Sequence, residues 1–453
     1  MRFKAWLPAL LTVAAAWLVQ RQHILNQDVG QFLYAGRMAL SGEGRMYRDF
    51  IEFNLPLVSY LTALPAEVAA WVGVDPVTAV VTALFLAAIG STALTLAILA
   101  AAGTSERVLT IGGSLMLAAL LWPSLPNLGQ REHLMAMLAA PWLAAVAVGG
   151  RGGLPAALLA GLGFALKPHF VVMPAAVLLA AGGRAWRLAV PALAVTLACH
   201  AATLALFPEY RTEVVPMALR YYSFWHVPRW LLITHPPTMV ALALTAVALW
   251  REGSRGTLVL TGAVLGGLAI DVAQARGFDY HRLPMWLAAM AVLAVPAMKK
   301  PGWWLPVGAM AWIPVLIALH PWEHVPVVRR LVPEVRACPQ PAVVAALAPH
   351  PFPLFPLLNV TGGRNALRYP SLWMWPAFEG ASPAETRPFV RAVVADLLAH
   401  RPCLVIVDGN SWHGKPQPFL PMLLAEEDFR AFWRGYGVAL EVGGYTVWRR
   451  TAD

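Results

Sequence analysis

Charge is scarce in this chain. Only 13% of its 453 residues are Asp, Glu, Lys or Arg, against roughly 25% in soluble domains. That shortage excludes a soluble enzyme, a disordered chain or a free nucleic-acid binder as an account of the whole protein. Cysteine is scarcer still, with Cys199, Cys338 and Cys403 as the full set. They form no CxxC or Cys/His zinc spacing. There is no GxxxxGK[ST] phosphate loop and no convincing dinucleotide fingerprint after a strand. What is abundant is apolar, at 58% of residues. Length would suggest about two or three domains. The apolar runs instead read as a mainly α, polytopic membrane protein. Arg outnumbers Lys, and Ala, Gly and Pro are frequent, as in chains from GC-rich bacterial genomes.

The runs lie near 5–19, 76–102, 108–122, 134–148, 154–166, 170–181, 188–207, 232–250, 258–270, 283–297 and 303–319. At roughly 20 residues per crossing they predict about eleven transmembrane helices. The first follows Arg2 and Lys4 without a small-residue cleavage site, so it reads as an uncleaved helix rather than a signal peptide. The two short runs flanking Lys167 read as a helical hairpin with Lys167-Pro168-His169 at its outer tip. With a cytoplasmic amino terminus, the inside loops carry Arg2, Lys4, Arg107, Arg151, Arg184, Arg187, Arg251, Arg255, Lys299 and Lys300, and only Glu106 and Glu252 as acids. This agrees with the positive-inside rule. Segments 21–75, 123–131, 207–231, 273–282 and the tail from 320 then lie outside. The expected division is a membrane domain, 1–319, with its first outer loop at 21–75, and an outer domain, 320–453.

In the first outer loop, Phe32, Leu33, Ala35, Met38, Ala39 and Leu40 give an apolar face. This predicts an interfacial helix stopped by Ser41-Gly42, with a second helix after Asn54-Leu55-Pro56. Isolated acids, Asp28, Asp49 and Glu52, punctuate the loop. In the tail, 342–347 and 403–407 read as buried strands, 385–400 and 426–436 as helices, and 438–449 as one or two strands around Gly443-Gly444. This is the order of a small α/β domain. Cys338 and Cys403 have two open readings, a disulfide in an oxidising compartment or free buried thiols. Asp408-Gly409-Asn410 reads as a strand-ending turn, with a metal or sugar site as the sharper alternative.

These residues carry a resemblance. Asp28 follows the first span. Tyr34-Ala35-Gly36, a Gly-containing break, Tyr47 to Phe50 and the helix-leading Pro56 come next. Gly129-Gln130-Arg131-Glu132-His133-Leu134 opens the fourth span, and Lys167 sits between two short runs. Together they resemble the GT-C superfamily of membrane glycosyltransferases that use a polyprenyl-phosphate sugar as donor. Relatives in that group include the bacterial aminoarabinose transferases and protein O-mannosyltransferases. The likeness has some specificity over roughly the first 180 residues and rests on architecture beyond. One departure matters: relatives often pair a second acid with the first Asp, whereas Asp28 is followed by Val29, which bears on metal use.

The resemblance implies an inverting glycosyltransferase of a bacterial inner membrane, with its outer domain in the periplasm. It would move sugar from a polyprenyl-phosphate donor to a glycan, lipid or protein acceptor; nucleic acid is not an expected partner. Asp28 is then the candidate base, although by spacing alone an Asp before an amphipathic helix is a cap. Asp49 is the second catalytic acid or a turn residue beside Arg48. Glu52 is a solvated loop charge or a substrate contact. A divalent metal, Mg or Mn, would fall to Asp28 and Asp49. Arg131, His133, Lys167, His169 and Arg282 are the candidate phosphate ligands, against interface anchoring, and Glu132 is expected to pair with Arg131. Tyr280 and His281 are candidate substrate contacts, against an aromatic belt. Asp271 is expected to be paired or hydrated, and the segment 221–229 to be interfacial. A secondary transporter or lipid flippase is the rival class, and a silent scaffold the third. No internal repeat of the transporter kind is evident.

Overall fold

The computed structural model describes residues 6–150, 153–183, 185–299, 324–378, 381–410 and 419–451. The expected span at 303–319, the expected boundary at 319/320, and Arg2, Lys4, Arg151, Arg184 and Lys300 lie outside the described residues. The chain is mainly helical with one five-stranded sheet. It divides into two compact units, one of Met1–His23, Val80–Leu206 and Trp225–Pro321, the other of Ile24–Ala79, Phe207–Phe224 and Trp322–Asp453.

In chain order the helices up to residue 299 are α1 (Leu7–Gln20), α2 (Gln27–Ser41), α3 (Pro56–Ala70), α4 (Pro76–Ala101), α5 (Glu106–Leu121), α6 (Arg131–Ala147) and α7 (Gly153–Phe164). They continue with α8 (Val172–Ala181), α9 (Trp186–Leu206), α10 (Val215–Tyr221), α11 (Arg229–Ile233), α12 (Pro236–Glu252), α13 (Arg255–Gln274) and α14 (Leu283–Lys299). Each apolar run predicted within the described residues carries one of these helices. Among the described residues, only α4, α9 and α13 are long and apolar enough to cross a membrane, so the count of eleven spans is not supported. The reason is length. At 1.5 Å per residue, a 17-residue helix such as α6, α12 or α14 extends about 26 Å, short of a ~30 Å hydrocarbon core. Helices α7 and α8 have 12 and 10 residues.

The short helices do not form the expected simple hairpin. Helix α7 packs chiefly on α6 and α9, whereas α8 packs on α13, which also packs on α14. Small residues allow that proximity. At Gly267 of α13, a Cβ would lie 2.5 Å from the Met285 backbone nitrogen of α14.

In the second unit, Asn26 caps α2 by accepting the Asp28 N–H. Helix α2 buries Val29, Phe32, Leu33 and Ala35. The part of the predicted interfacial face that carries Phe32, Leu33 and Ala35 is therefore covered by protein, by α3 and by the helix Leu354–Thr361, whereas Leu40 is exposed. Helix α3 and the residues after it do leave Leu64, Val68, Trp71 and Val72 exposed.

The rest of this unit is the α/β part. It holds α15 (His324–Arg336), α16 (Leu354–Thr361) and α17 (Pro383–His400), with strands β1 (Val343–Leu347), β2 (Arg364–Asn365), β3 (Leu404–Asp408), β4 (Tyr436–Val442) and β5 (Tyr445–Arg450). The sheet order is β2-β1-β3-β5-β4. Strand β1 is parallel to β2 and β3, and β5 is antiparallel to β3 and β4. The central β1 and β3 are nearly continuous buried apolar runs, as parallel strands covered on both faces require. Gly443 and Gly444, both at positive φ, make the β4–β5 turn. Cys338 and Cys403 are joined in a disulfide. Helices α15 and α16 and strand β2 are elements the sequence pattern did not reveal. Asn359 of α16 donates to the Gly30 carbonyl of α2 at 2.7 Å, and the Tyr34 hydroxyl accepts the Asn365 N–H at 2.9 Å. The first outer loop and the α/β part thus share one core.

Candidate functional site

Three local features of the first unit bring its charged residues together. The chain enters α6 through Gln130 as N-cap, which sets Arg131, Glu132 and His133 in the first turn. Lys167 is held extended, φ −148° and ψ 142°, as the ring of the following Pro168 demands. Helix α13 ends on Ala275 in the left-handed region, φ +51°, a conformation uncommon for a residue with a Cβ. The Ala275 carbonyl accepts the Val227 N–H at 2.6 Å, and a short turn, Asp279–Arg282, leads into α14. Asp271 near the end of α13 therefore meets Arg282 in the turn that leads into α14.

At the centre is Lys167, 7% exposed. Its ammonium donates to Glu132 Oε1 at 2.5 Å and to Gln274 Oε1 at 2.7 Å. It also stands 5.7 Å from the Tyr280 ring centre and 5.8 Å from that of Phe170, within cation–π range. Glu132 is 0% exposed, and His281 Nε2 is 3.8 Å from its Oε1. Beside this pair is another: buried Arg282 places Nε 3.4 Å from Asp271 Oδ2 and donates from Nη1 to Asp279 at 3.0 Å. Glu132 Oε2, Asp271 Oδ1 and His281 Nδ1 are buried without a hydrogen bond among the described residues. Unbonded buried polar atoms of this kind are costly. Each cation of the cluster is thus paired with a carboxylate of the same chain, and an incoming anion would have to exchange with those carboxylates to reach the ammonium or the guanidinium.

Several sequence candidates join this cluster and others do not. Lys167, His281, Arg282 and Tyr280 belong to it, and Glu132, expected to pair with Arg131, pairs with Lys167. Asp271 is paired, with Arg282. His133 is turned inward: Nδ1 accepts the Gly129 N–H at 3.2 Å and Nε2 is 2.8 Å from the Leu120 carbonyl. One ring nitrogen serves the loop before α6 and the other the end of α5, so both are engaged by backbone and neither faces a phosphate. Arg131 and His169 are half-buried beside the cluster residues in sequence. Gln274 had no role in the sequence reading. Its contact with Lys167 spans 107 positions, which no local pattern signals.

The acids of the first outer loop lie in the second unit. Asp28 is half-buried in the first turn of α2, where a negative charge suits the helix dipole. The capping itself falls to Asn26. Asp49 is exposed, accepts the Arg45 N–H at 2.9 Å and lies 3.8 Å from Arg48, which is the turn reading. Glu52 corrects the expectation of a solvated charge, since it is fully buried. Its Oε2 accepts from the Gln31 amide at 2.6 Å. Its Oε1 accepts from the Asn54 N–H at 2.9 Å and from the Asn54 amide at 2.5 Å. Tyr47, at φ +70°, donates its hydroxyl to the Asn54 carbonyl at 2.6 Å. The sequence offered no signal for this burial, because both partners are neutral amides. For a divalent metal the fit is poor. Asp49 is spent on its turn, and no three His, Cys, Asp or Glu among the described residues come together as a metal site needs.

No protein-family model matches this chain, and no curated protein matches it. Among solved structures it is similar to the crystal structure of the Archaeoglobus fulgidus oligosaccharyltransferase in complex with zinc and sulfate. The identity is 11% and the TM-score 0.48, over 97% of this chain and 73% of that one.

Proposed function

We propose that the protein is a membrane glycosyltransferase that moves sugar, with inversion, from a polyprenyl-phosphate donor to an acceptor at the outer face of a bacterial inner membrane. The observation that carries the reading is the buried cluster in which Lys167 meets Glu132 and Gln274 from distant segments, with the Arg282–Asp271 pair in the same helix-end region. A lipid-linked phosphate presents an anion to the membrane surface, and a buried cation at the end of short apolar helices supplies its counter-charge. In the reaction the acceptor oxygen forms a bond to the anomeric carbon, the bond from that carbon to the phosphate oxygen breaks, and the lipid phosphate departs with the electron pair. Lys167 and Arg282, with Arg131 and His169 flanking, stabilise the charge that develops there. Asp28 takes the acceptor proton, in line with the family resemblance of its segment. Tyr280 and His281 line the donor side. Glu52, through its amide network, shapes the outer loop. No step is routed through a metal. The Cys338–Cys403 disulfide agrees with an oxidising outer compartment, and exposed Leu64, Val68, Trp71 and Val72 fit a helix that touches lipid.

Deletion of the gene should remove one class of cell-envelope glycoconjugate, and complementation with Lys167→Met should not restore it. Restoration by that variant would sink the assignment of the cluster. Buried ion pairs also occur in ion-coupled transporters. Uptake of labelled substrate into vesicles without glycoconjugate formation is the result that would favour that class.

A further inference from the structure

The charged partner of Lys167 is itself an anion of this chain. Glu132 takes the shortest contact of the ammonium, at 2.5 Å, in surroundings where the two side chains are 0% and 8% exposed. A pair built only for stability would have its remaining atoms satisfied, because an unbonded carboxylate oxygen in a buried site is costly. Among the described residues, Glu132 Oε2 has no hydrogen bond. A second prospective partner, His281 Nε2, stands 3.8 Å from the oxygen that Lys167 already holds. Lys167, by contrast, has a second anchor that is independent of charge, the Gln274 side-chain oxygen at 2.7 Å. It stays positioned when Glu132 is removed from its side.

From this geometry we propose that Glu132 is a specificity-determining resident anion. It occupies the ammonium of Lys167 when no donor is bound, and the donor phosphate must exchange with it, Glu132 moving toward His281 while Gln274 keeps Lys167 in place. The inference rests on the reading of the cluster as a phosphate site and adds a competitor inside it. A neutral headgroup cannot displace a carboxylate from an ammonium, whereas a phosphate can, so the exchange admits only anionic lipids. Donor affinity is accordingly weaker than the bare cation would give.

The test uses the full-length protein in lipid nanodiscs, with a radiolabelled polyprenyl phosphate as probe and the matching neutral polyprenol as control. Wild type should bind the phosphate and not the alcohol. Glu132→Gln should bind the phosphate more tightly, on the order of tenfold, the size expected when a competing buried charge is neutralised. Glu132→Asp keeps the charge, draws it back by one methylene and should give a smaller tightening; it also serves if the Gln variant does not fold. Lys167→Met should lose phosphate binding. If wild type binds and both Glu132 variants bind equally well or less well, Glu132 is a structural counter-ion and the inference is overturned. If none of the folded proteins distinguishes the phosphate from the alcohol, the phosphate-site reading itself fails and the inference falls with it.

Discussion

Two buried glutamates, one in each unit, show opposite solutions to the same physical problem. Glu52 in the second unit and Glu132 in the first are both 0% exposed. Glu52 is held by neutral donors, Asn54 two positions away and Gln31 21 positions away, with both oxygens bonded. Its charge is dispersed over a closed network, which rigidifies the loop between α2 and α3. Glu132 is held by a cation 35 positions away and, among the described residues, keeps an oxygen without a hydrogen bond. A closed network is difficult to exchange with a ligand; a half-satisfied ion pair is not. The contrast marks Glu52 as architecture and the Glu132–Lys167 pair as the part of the chain with chemistry left to do.

Perturbing each side tests the contrast. The largest effect is expected from Asp28→Asn, which should lower transfer on the order of 10²–10⁴-fold, the usual contribution of a positioned base, with membrane expression unchanged. Full activity would remove Asp28 from the mechanism. Next, Cys403→Ser should destabilise the second unit by about 4 kcal/mol in the chain-entropy account of a loop of this size, the two cysteines being 65 positions apart. Thermal unfolding under oxidising and reducing conditions would measure it, and the first unit should be unaffected. Lys167→Met should reduce turnover by roughly 10²–10³-fold, comparable with removal of one charge-stabilising donor, and an unfolded variant would show instead as lost monodispersity in detergent. Glu52→Gln should cost about 1–3 kcal/mol of stability, since the new amide opposes the Gln31 and Asn54 donors. Hydrogen exchange confined to 24–79 would support its architectural role. The smallest effect concerns Asp408, whose carboxyl is raised above its usual range, chiefly by burial and against the lowering effect of Asn410. A folded-state pKa above the unfolded value means that the native state binds more protons in that window. The stability of the second unit should therefore fall slightly as pH rises from the ordinary carboxylate range, near 3.9, through the raised folded pKa. Asp408→Asn should flatten that part of the profile.

The helical runs were legible because an apolar stretch of helical length is a local property of composition, and each described run from 76–102 to 283–297 carries a helix. In the tail, β1, β3 and the Gly443-Gly444 hairpin follow from short apolar strands and a left-handed turn. Where helices end was less legible. The cap of α2 fell to Asn26, two positions before the Asp that the same capping chemistry would also suit. The number of crossings is not confirmed because most of the apolar helices that the runs marked are shorter than a bilayer crossing requires. The cluster was half legible. Lys167, His281 and Arg282 attracted notice as charges in apolar surroundings, whereas Gln274 is a neutral residue whose importance comes only from what it touches.

Composition and order by themselves determined that this protein is helical and apolar, that charge is scarce within its long apolar runs, and that a small α/β part follows. Those are consequences of burial and hydrogen bonding that each segment must meet locally. Only the tertiary structure decided which charges meet. It buried Phe32, Leu33 and Ala35 of α2 against protein, joined Cys338 to Cys403, and closed Glu52 into an amide network. It also set Lys167 between Glu132 and Gln274. The physical reason is that an ion pair in a low-dielectric interior depends on separations of a few ångströms. Such separations are set by how helices pack, and residues 35 and 107 positions apart carry no local record of it.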